Sequence, residues 1–347
     1  MIVCFAIQNV LLPTLISLYS NMGAPAPDPV FVLRGAESPV TAVTFLCVAE
    51  GQRENYIAAG TQNGKVLLWN LQIKSKVAEW EAHASTSIHW LYSESPDILW
   101  SQGRCDSVKA WNIQSSSPHL IATYPLMDYL GFSSSHIIQV NNSTKLLSLP
   151  GPSQEGVTVW DVDKKFKIST LMPLDAKAYG SMMQPRWIKM EDIITLAVLY
   201  ESGRITLWDW ANSKILSQHQ ISENPMCITF DELSQTGIIG TASEKIFVFK
   251  IDSDLNISIM KEFSITNAGV SSCVIRPDGK LFAMGGWDSR IRLFSSKKCK
   301  PLAVLIYHKK TVECIAYSKG DIEDLGGGFI LAAGSSDKSV SLWNIFN

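Results

Sequence analysis

Residues 330–344 read ILAAGSSDKSVSLWN. An apolar strand ends in small residues, passes through a polar Ser-Asp-Lys turn, and returns as a second strand that closes on Trp343. That is the signature of a tight β-hairpin. Residues 56–70, YIAAGTQNGKVLLWN, repeat it position for position, and residues 281–295, LFAMGGWDSRIRLFS, repeat it with Phe294 in place of the tryptophan. The same ending recurs as SVKAWN at Trp111, GVTVWD at Trp160, RITLWD at Trp208 and KIFVFK at Phe249. Seven units result, spaced by about 46 residues, a period that belongs to stacked repeat architectures built from small sheets.

Composition agrees with an all-β chain of this kind. Of 347 residues 46% are hydrophobic, which excludes disorder, and 22 Gly with 15 Pro punctuate many short elements. Lys and Arg (30) nearly balance Asp and Glu (32), so a general nucleic-acid binder is not expected. The seven cysteines show no zinc-type or Cys-x-x-Cys spacing. Cys227, Cys273 and Cys314 sit at equivalent places in three units and read as reduced core thiols of a cytosolic or nuclear protein. From Met1 to Asn21 there is no charged residue, but Gln8, Asn9 and Pro13 interrupt the apolar run and no basic segment precedes it. Residues 1–28 are therefore expected to be a disordered leader or an upstream extension of the gene model, with no membrane association.

The repeat resembles the WD-repeat family, whose units carry a His near the start and a Trp-Asp near the end. The resemblance covers roughly residues 30–345 and implies a seven-bladed WD40 β-propeller over residues 29–347. In that family a His, a Ser or Thr, an Asp and the Trp form a buried polar network. The seventh unit supplies His308, Ser335, Asp337 and Trp343, and His83 with Asp106 and Trp111 is a second candidate set. A ring of sheets also has to close. The segment PVFVL, residues 29–33, has no partner in its own unit, whereas the last unit stops without an outer strand, so 29–33 is expected to supply it.

No catalytic constellation emerges, and neither a cofactor nor a metal is expected: the six histidines are scattered, and Gly326 to Gly328 lack the strand-loop-helix context of a phosphate-binding loop. Trp287-Asp288-Ser289-Arg290 matches the Trp-Asp-x-Arg signature of ubiquitin-ligase substrate receptors in letters only, because it precedes the closing Phe294 instead of following it. Trp287 with Arg290 and Arg292 is the candidate partner-binding group, since exposed Trp and Arg anchor protein interfaces. Lys297, Lys298, Lys300, Lys309 and Lys310 read as guards of an outer strand.

Four segments carry a narrower resemblance: PDPVFVLRGAESPV (27–40), SQGR (101–104), IRPDGKLFAMGGWDSRIRLF (275–294) and PLAVLIYHKKTVECIAY (301–317). They look like the subfamily of guanine nucleotide-binding protein beta subunit-like and fungal ASTRA-associated WD-repeat proteins. That resemblance implies a non-enzymatic scaffold, a monomeric ring inside a larger complex, cytoplasmic and nuclear. Its implied partners are the TTT co-chaperone complex and the phosphatidylinositol-3-kinase-related kinases it matures for DNA-damage signalling, with the ASTRA chromatin assembly as a second context. A G-protein β role is disfavoured because no heptad-bearing helix precedes the first strand. The alternatives are a histone- or peptide-reading propeller and a ubiquitin-ligase adaptor.

Overall fold

The computed structural model describes residues 27–47 and 56–346, apart from 116, 127, 128, 130 and 142. The expected leader lies outside these residues except for its last two positions. Among the described residues twenty-eight strands form seven four-stranded antiparallel sheets, the blades of a propeller. Blade 1 comprises Val40–Phe45, Tyr56–Thr61, Lys65–Asn70 and Ser75–Glu81; blade 2, Ile88–Ser95, Ile98–Gly103, Ser107–Asn112 and His119–Pro125. Blade 3 comprises His136–Asn141, Thr144–Pro150, Val157–Asp161 and Phe166–Leu171; blade 4, Met182–Met190, Ile193–Tyr200, Arg204–Asp209 and Lys214–Gln220. Blade 5 comprises Pro225–Asp231, Thr236–Thr241, Lys245–Ile251 and Ile257–Ser264; blade 6, Val270–Ile275, Leu281–Gly286, Arg290–Ser295 and Pro301–Ile306. In each of these six blades the strands are ordered as in the chain. First strands of most neighbouring blades pack on one another, so they surround the centre and the fourth strands form the rim.

Burial follows that position. The second and third strands, covered on both faces, are almost continuously buried, as in Lys65–Asn70 and Ile193–Tyr200. Fourth strands alternate, and Lys214–Gln220 exposes every second residue with a period of two.

Blade 7 joins Val312–Tyr317, Ile330–Ser335 and Val340–Asn344 to a fourth strand from the other end of the chain, Phe31–Leu33. It pairs antiparallel in the register Phe31↔Leu342, Val32↔Ser341 and Leu33↔Val340, and the Val30 amide donates to the Leu342 carbonyl at 2.8 Å. The strand is shorter than the segment 29–33. Pro29 has no N–H to give, and after Leu33 the chain turns away through Gly35, at φ +100°, to begin blade 1. The seam is apolar: Leu33, Val340 and Leu342 share one buried cluster with Val40, Ile57, Leu67 and Trp69 of blade 1.

Two details of the repeat have interblade or local causes. The glycine one residue before the end of the second strand is a packing residue. A Cβ at Gly60, Gly240, Gly285 or Gly334 would lie 2.5–2.8 Å from a branched methyl of Ile88, Val270, Val312 or Val40, each opening the next blade, and the last of these contacts crosses the seam. The closing aromatic sits beside a bulge between third and fourth strands, for example at Leu68/Trp69, Leu207/Trp208 and Leu293/Phe294. The extra residue lies on the fourth strand, as Val77, Leu216 and Leu302, and bends that rim strand opposite the ring.

Candidate functional site

In an antiparallel blade the links between second and third strands lie at the same end as the blade-to-blade links. We call this end the turn face. It carries Asn63, Asp106, Ser202, Asp288 and Asp337, with the links 82–87, 265–269 and 307–311 and residues 131–135 of the link from blade 2 to blade 3.

Polar side chains tie these turns down. In blade 7, His308 Nδ1 meets Asp337 Oδ2 at 2.9 Å, His308 Nε2 meets Ser341 Oγ at 2.7 Å, and Trp343 Nε1 donates to the same hydroxyl at 2.7 Å. The relay hydroxyl is that of Ser341, two residues before Trp343 on the same strand face, and not that of Ser335. Ser335, at the end of the preceding strand, donates to the Lys310 carbonyl and accepts from the Asp337 amide. Blade 2 holds a full relay too: His83 reaches Asp106 at 2.6 Å and Ser101 at 2.8 Å, and Trp111 Nε1 donates to Ser101 at 2.8 Å. Ser101 is on the second strand and Ser341 on the third, but Ala333 and Ser341 are cross-strand partners, so either strand can present a hydroxyl to the same space.

Burial lowers the pKa of His83 and leaves it neutral, although Asp106 opposes that shift. Burial disfavours the charged forms of Asp106 and Asp337, yet hydrogen bonds outweigh it and hold both carboxyls below the ordinary range: His83 and Lys109 act on Asp106, and Ser339, the Lys309 amide and His308 on Asp337. Because one hydroxyl serves both His308 and Trp343, a double-mutant cycle of Ser341→Ala with Trp343→Phe should show coupling of about 1 kcal/mol. Additive losses in urea midpoints would contradict a shared relay.

Blade 6 lacks both the histidine and the tryptophan, and an ion pair takes over. Arg292, at the place Ser341 holds in blade 7, grips Asp288 through Nη1 at 3.0 Å and Nη2 at 2.6 Å and also reaches Thr266. Asn267 donates to Asp288 as well, and Arg292 is 4% exposed. Arg292 therefore presents nothing to a partner, which corrects its place in the candidate group. Its position two before the closing Phe294 puts it on the inward-facing side of the blade.

Trp287 and Arg290 are different. Trp287 is 44% exposed, and its indole lies across Gly269, where any Cβ would come within 2.1 Å of the ring. Its amide donates to the Gly269 carbonyl and its carbonyl accepts from Thr311 Oγ, so links on both sides of blade 6 fix it. Arg290 is half-exposed, its Nε 3.9 Å from an Asp288 carboxylate already held by Arg292. Exposed Lys309 and Lys310 precede Thr311 in the adjoining link. The result is a rigid aromatic among cations.

A second exposed aromatic escaped the sequence reading. Phe132, 69% exposed in the link from blade 2 to blade 3, lies under the Arg104 guanidinium at 3.8 Å and stacks with His89 at 5.8 Å. The SQGR segment held the signal, since Arg104 is its last residue, but nothing in the sequence aimed it at Phe132.

Around the centre, Arg186 on the first strand of blade 4 stands beside Trp187, whose amide donates to His136 Nδ1 at 3.2 Å and whose indole donates to the His136 carbonyl at 3.1 Å. Among the described residues no carboxylate pairs with Arg186, and its Nε lacks an acceptor. Burial lowers its pKa. No group of three His, Cys, Asp or Glu side chains among the described residues is arranged to hold a metal, and no helix there is long and apolar enough to cross a membrane.

A closed ring of seven such blades, with His-Ser-Trp relays in two of them, defines a WD40-repeat propeller, and the WD domain, G-beta repeat model matches residues 258–295 and 299–344. Each matched span runs from an outer strand into the next three strands, so the sequence repeat is offset from the blade by one strand, the offset that Phe31–Leu33 makes good. The chain is 32% identical to mouse guanine nucleotide-binding protein subunit beta-like protein 1 across 93% of its own length and 97% of the relative's. It is 25% identical to ASTRA-associated protein 1 of Schizosaccharomyces japonicus and 23% identical to that of Schizosaccharomyces pombe, in each case over 92% of this chain and 99% of the relative. The chain belongs to the WD-repeat family of the guanine nucleotide-binding protein subunit beta-like protein 1 and ASTRA-associated protein 1.

Proposed function

We propose that this propeller is a non-enzymatic scaffold acting with the TTT co-chaperone complex in the maturation and stability of phosphatidylinositol-3-kinase-related kinases, in the cytoplasm and nucleus. The observation that carries the reading is Trp287, an exposed indole fixed between two interblade links with Arg290, Lys309 and Lys310 around it. A pre-ordered aromatic spends little conformational entropy on binding, and Trp and Arg dominate interface energetics. Relatives named for association with ASTRA support membership of a larger assembly. Phe132 and Arg104 give the same face a second anchor across the ring.

The alternatives fit less well. A reader of basic histone tails needs carboxylates or an aromatic cage, whereas the first strand of blade 4 carries the cation Arg186, which has no paired carboxylate among the described residues. The Trp-Asp-x-Arg letters of a ligase adaptor form the tight turn before Arg290–Ser295, while the strand ends read Trp208-Asp209 and Trp343-Asn344 without the arginine.

The test is affinity purification from cells with the tag placed ahead of Phe31, followed by mass spectrometry. Recovery of co-chaperone subunits is expected, falling about tenfold for Trp287→Ala combined with Arg290→Ala, with an unchanged melting curve. Undiminished recovery by the folded double variant would remove the anchor assignment, and histones or a G-protein subunit in place of the co-chaperone would remove the scaffold reading.

A further inference from the structure

The outer strand of blade 6, Pro301–Ile306, is the last strand of its sheet, so its outward backbone groups are open. Ala303 and Leu305 turn inward, Leu305 fully buried, while Leu302, Val304 and Ile306 stand out at 39%, 38% and 60% exposure. Other rim strands share the exposed apolar residue at the bulge, as Val77, Ile121, Leu216 and Met260 do for Leu302, but several carry polar residues at the two exposed positions that follow it: Glu79 and Glu81 in blade 1, Gln218 and Gln220 in blade 4, Glu262 and Ser264 in blade 5. Blade 6 has none between Leu302 and Ile306.

Its cations stand beyond both ends. Lys297, Lys298 and Lys300 are exposed just before the strand and Lys309 and Lys310 just after it, with Arg290 directly opposite Ile306. Among the described residues none of these five lysines has a carboxylate at ion-pair distance. Lysines that guard an edge point outward from within the strand; these leave roughly 20 Å of apolar edge bare between two positive ends.

We propose that this edge receives an extended segment of a protein partner as a fifth strand of blade 6, with apolar side chains alternating beside Leu302, Val304 and Ile306 and acidic residues at each end. Backbone pairing supplies affinity, and the charged ends set register and choice of partner. A second copy of this chain fits badly, because edge-to-edge pairing in either direction brings lysine clusters together. The chain's own residues 1–26 contain no carboxylate and do not match the ends. Arg290 makes the edge continuous with the Trp287 anchor, so the proposal deepens the scaffold reading and rests on it.

The probe is a labelled ten-residue peptide with two acidic residues at each end and alternating Val and Thr between, followed by fluorescence anisotropy on the full chain. It should bind the wild type, and at least tenfold more weakly both Val304→Lys and the pair Lys309→Glu, Lys310→Glu, all with unchanged melting curves. A lysine-ended peptide, or one with a central proline, should lose at least tenfold as well. No binding to the wild type, equal binding to Val304→Lys, or tolerance of the central proline would overturn the proposal. Wild-type self-association that Val304→Lys dissolves would also overturn it and give the edge to a second copy. Wild-type recovery of co-chaperone by Val304→Lys would overturn the edge and leave the scaffold standing, whereas loss of co-chaperone from the wild type itself would overturn the scaffold while the peptide still decides the edge.

Discussion

Replacing Leu33 with Asp should lower the stability of the whole ring by about 4 kcal/mol, the sum of a lost buried leucine and a carboxylate forced into an apolar seam. Leu33 is 2% exposed and lies in the cluster that joins blade 7 to blade 1. Its strand is three residues long, and the covalent chain does not otherwise connect those blades at the rim. Opening it would uncover Val340–Asn344 as a fresh apolar edge, so soluble aggregates should form on mild heating. Val30→Asp is the control, since Val30 belongs to the same strand pairing but its side chain is 45% exposed, and it should shift the urea midpoint little. A Leu33→Asp midpoint equal to that of Val30→Asp would mean the ring holds without its closing strand.

The repeat made most of this architecture legible, because a strand-turn-strand unit that ends on an aromatic seven times over leaves few ways to bury its faces. Closure was legible by elimination, from one strand too few at one end of the chain and one too many at the other. What could not be read was which side of a strand each polar residue occupies. Ser335 and Ser341 are both plausible partners of His308 until the pairing Ala333↔Ser341 places one of them against the imidazole. Arg292 looked like an interface residue beside Trp287 because spacing cannot show that position 292 faces Asp288 inside the blade. The second relay stayed incomplete for the same reason: Ser101 was visible in SQGR, but only cross-strand register puts it between His83 and Trp111. Bulges add to this in first and fourth strands, where each moves the residues after it to the other face of the strand.

Acidification should weaken the ring between pH 7 and pH 5 through histidines that fold in neutral form, and His136 should dominate. Burial by the protein around it and the neighbouring Arg186 charge hold its pKa down at about 3. In the unfolded chain the same group titrates near 6.5. The native state therefore gains its full contribution above the unfolded value and loses it progressively as pH falls from about 6.5 toward about 3, because the unfolded chain binds a proton the native state refuses. At pH 5 the loss from this one residue is about 2 kcal/mol relative to pH 7.5. His83 and His89, both lowered mainly by burial, act in the same direction. Carboxylates are separable, since Asp106, Asp288 and Asp337 have lowered values and release their stabilisation only as pH falls from the ordinary carboxylate value toward the lowered one. His136→Gln keeps an acceptor for the Trp187 amide and cannot titrate. Whatever its stability at pH 7.5, its urea midpoint should fall less steeply than wild type between pH 6.5 and pH 5, by up to one proton's worth of slope. Parallel curves for the two proteins would show that His136 takes up its proton in the folded ring.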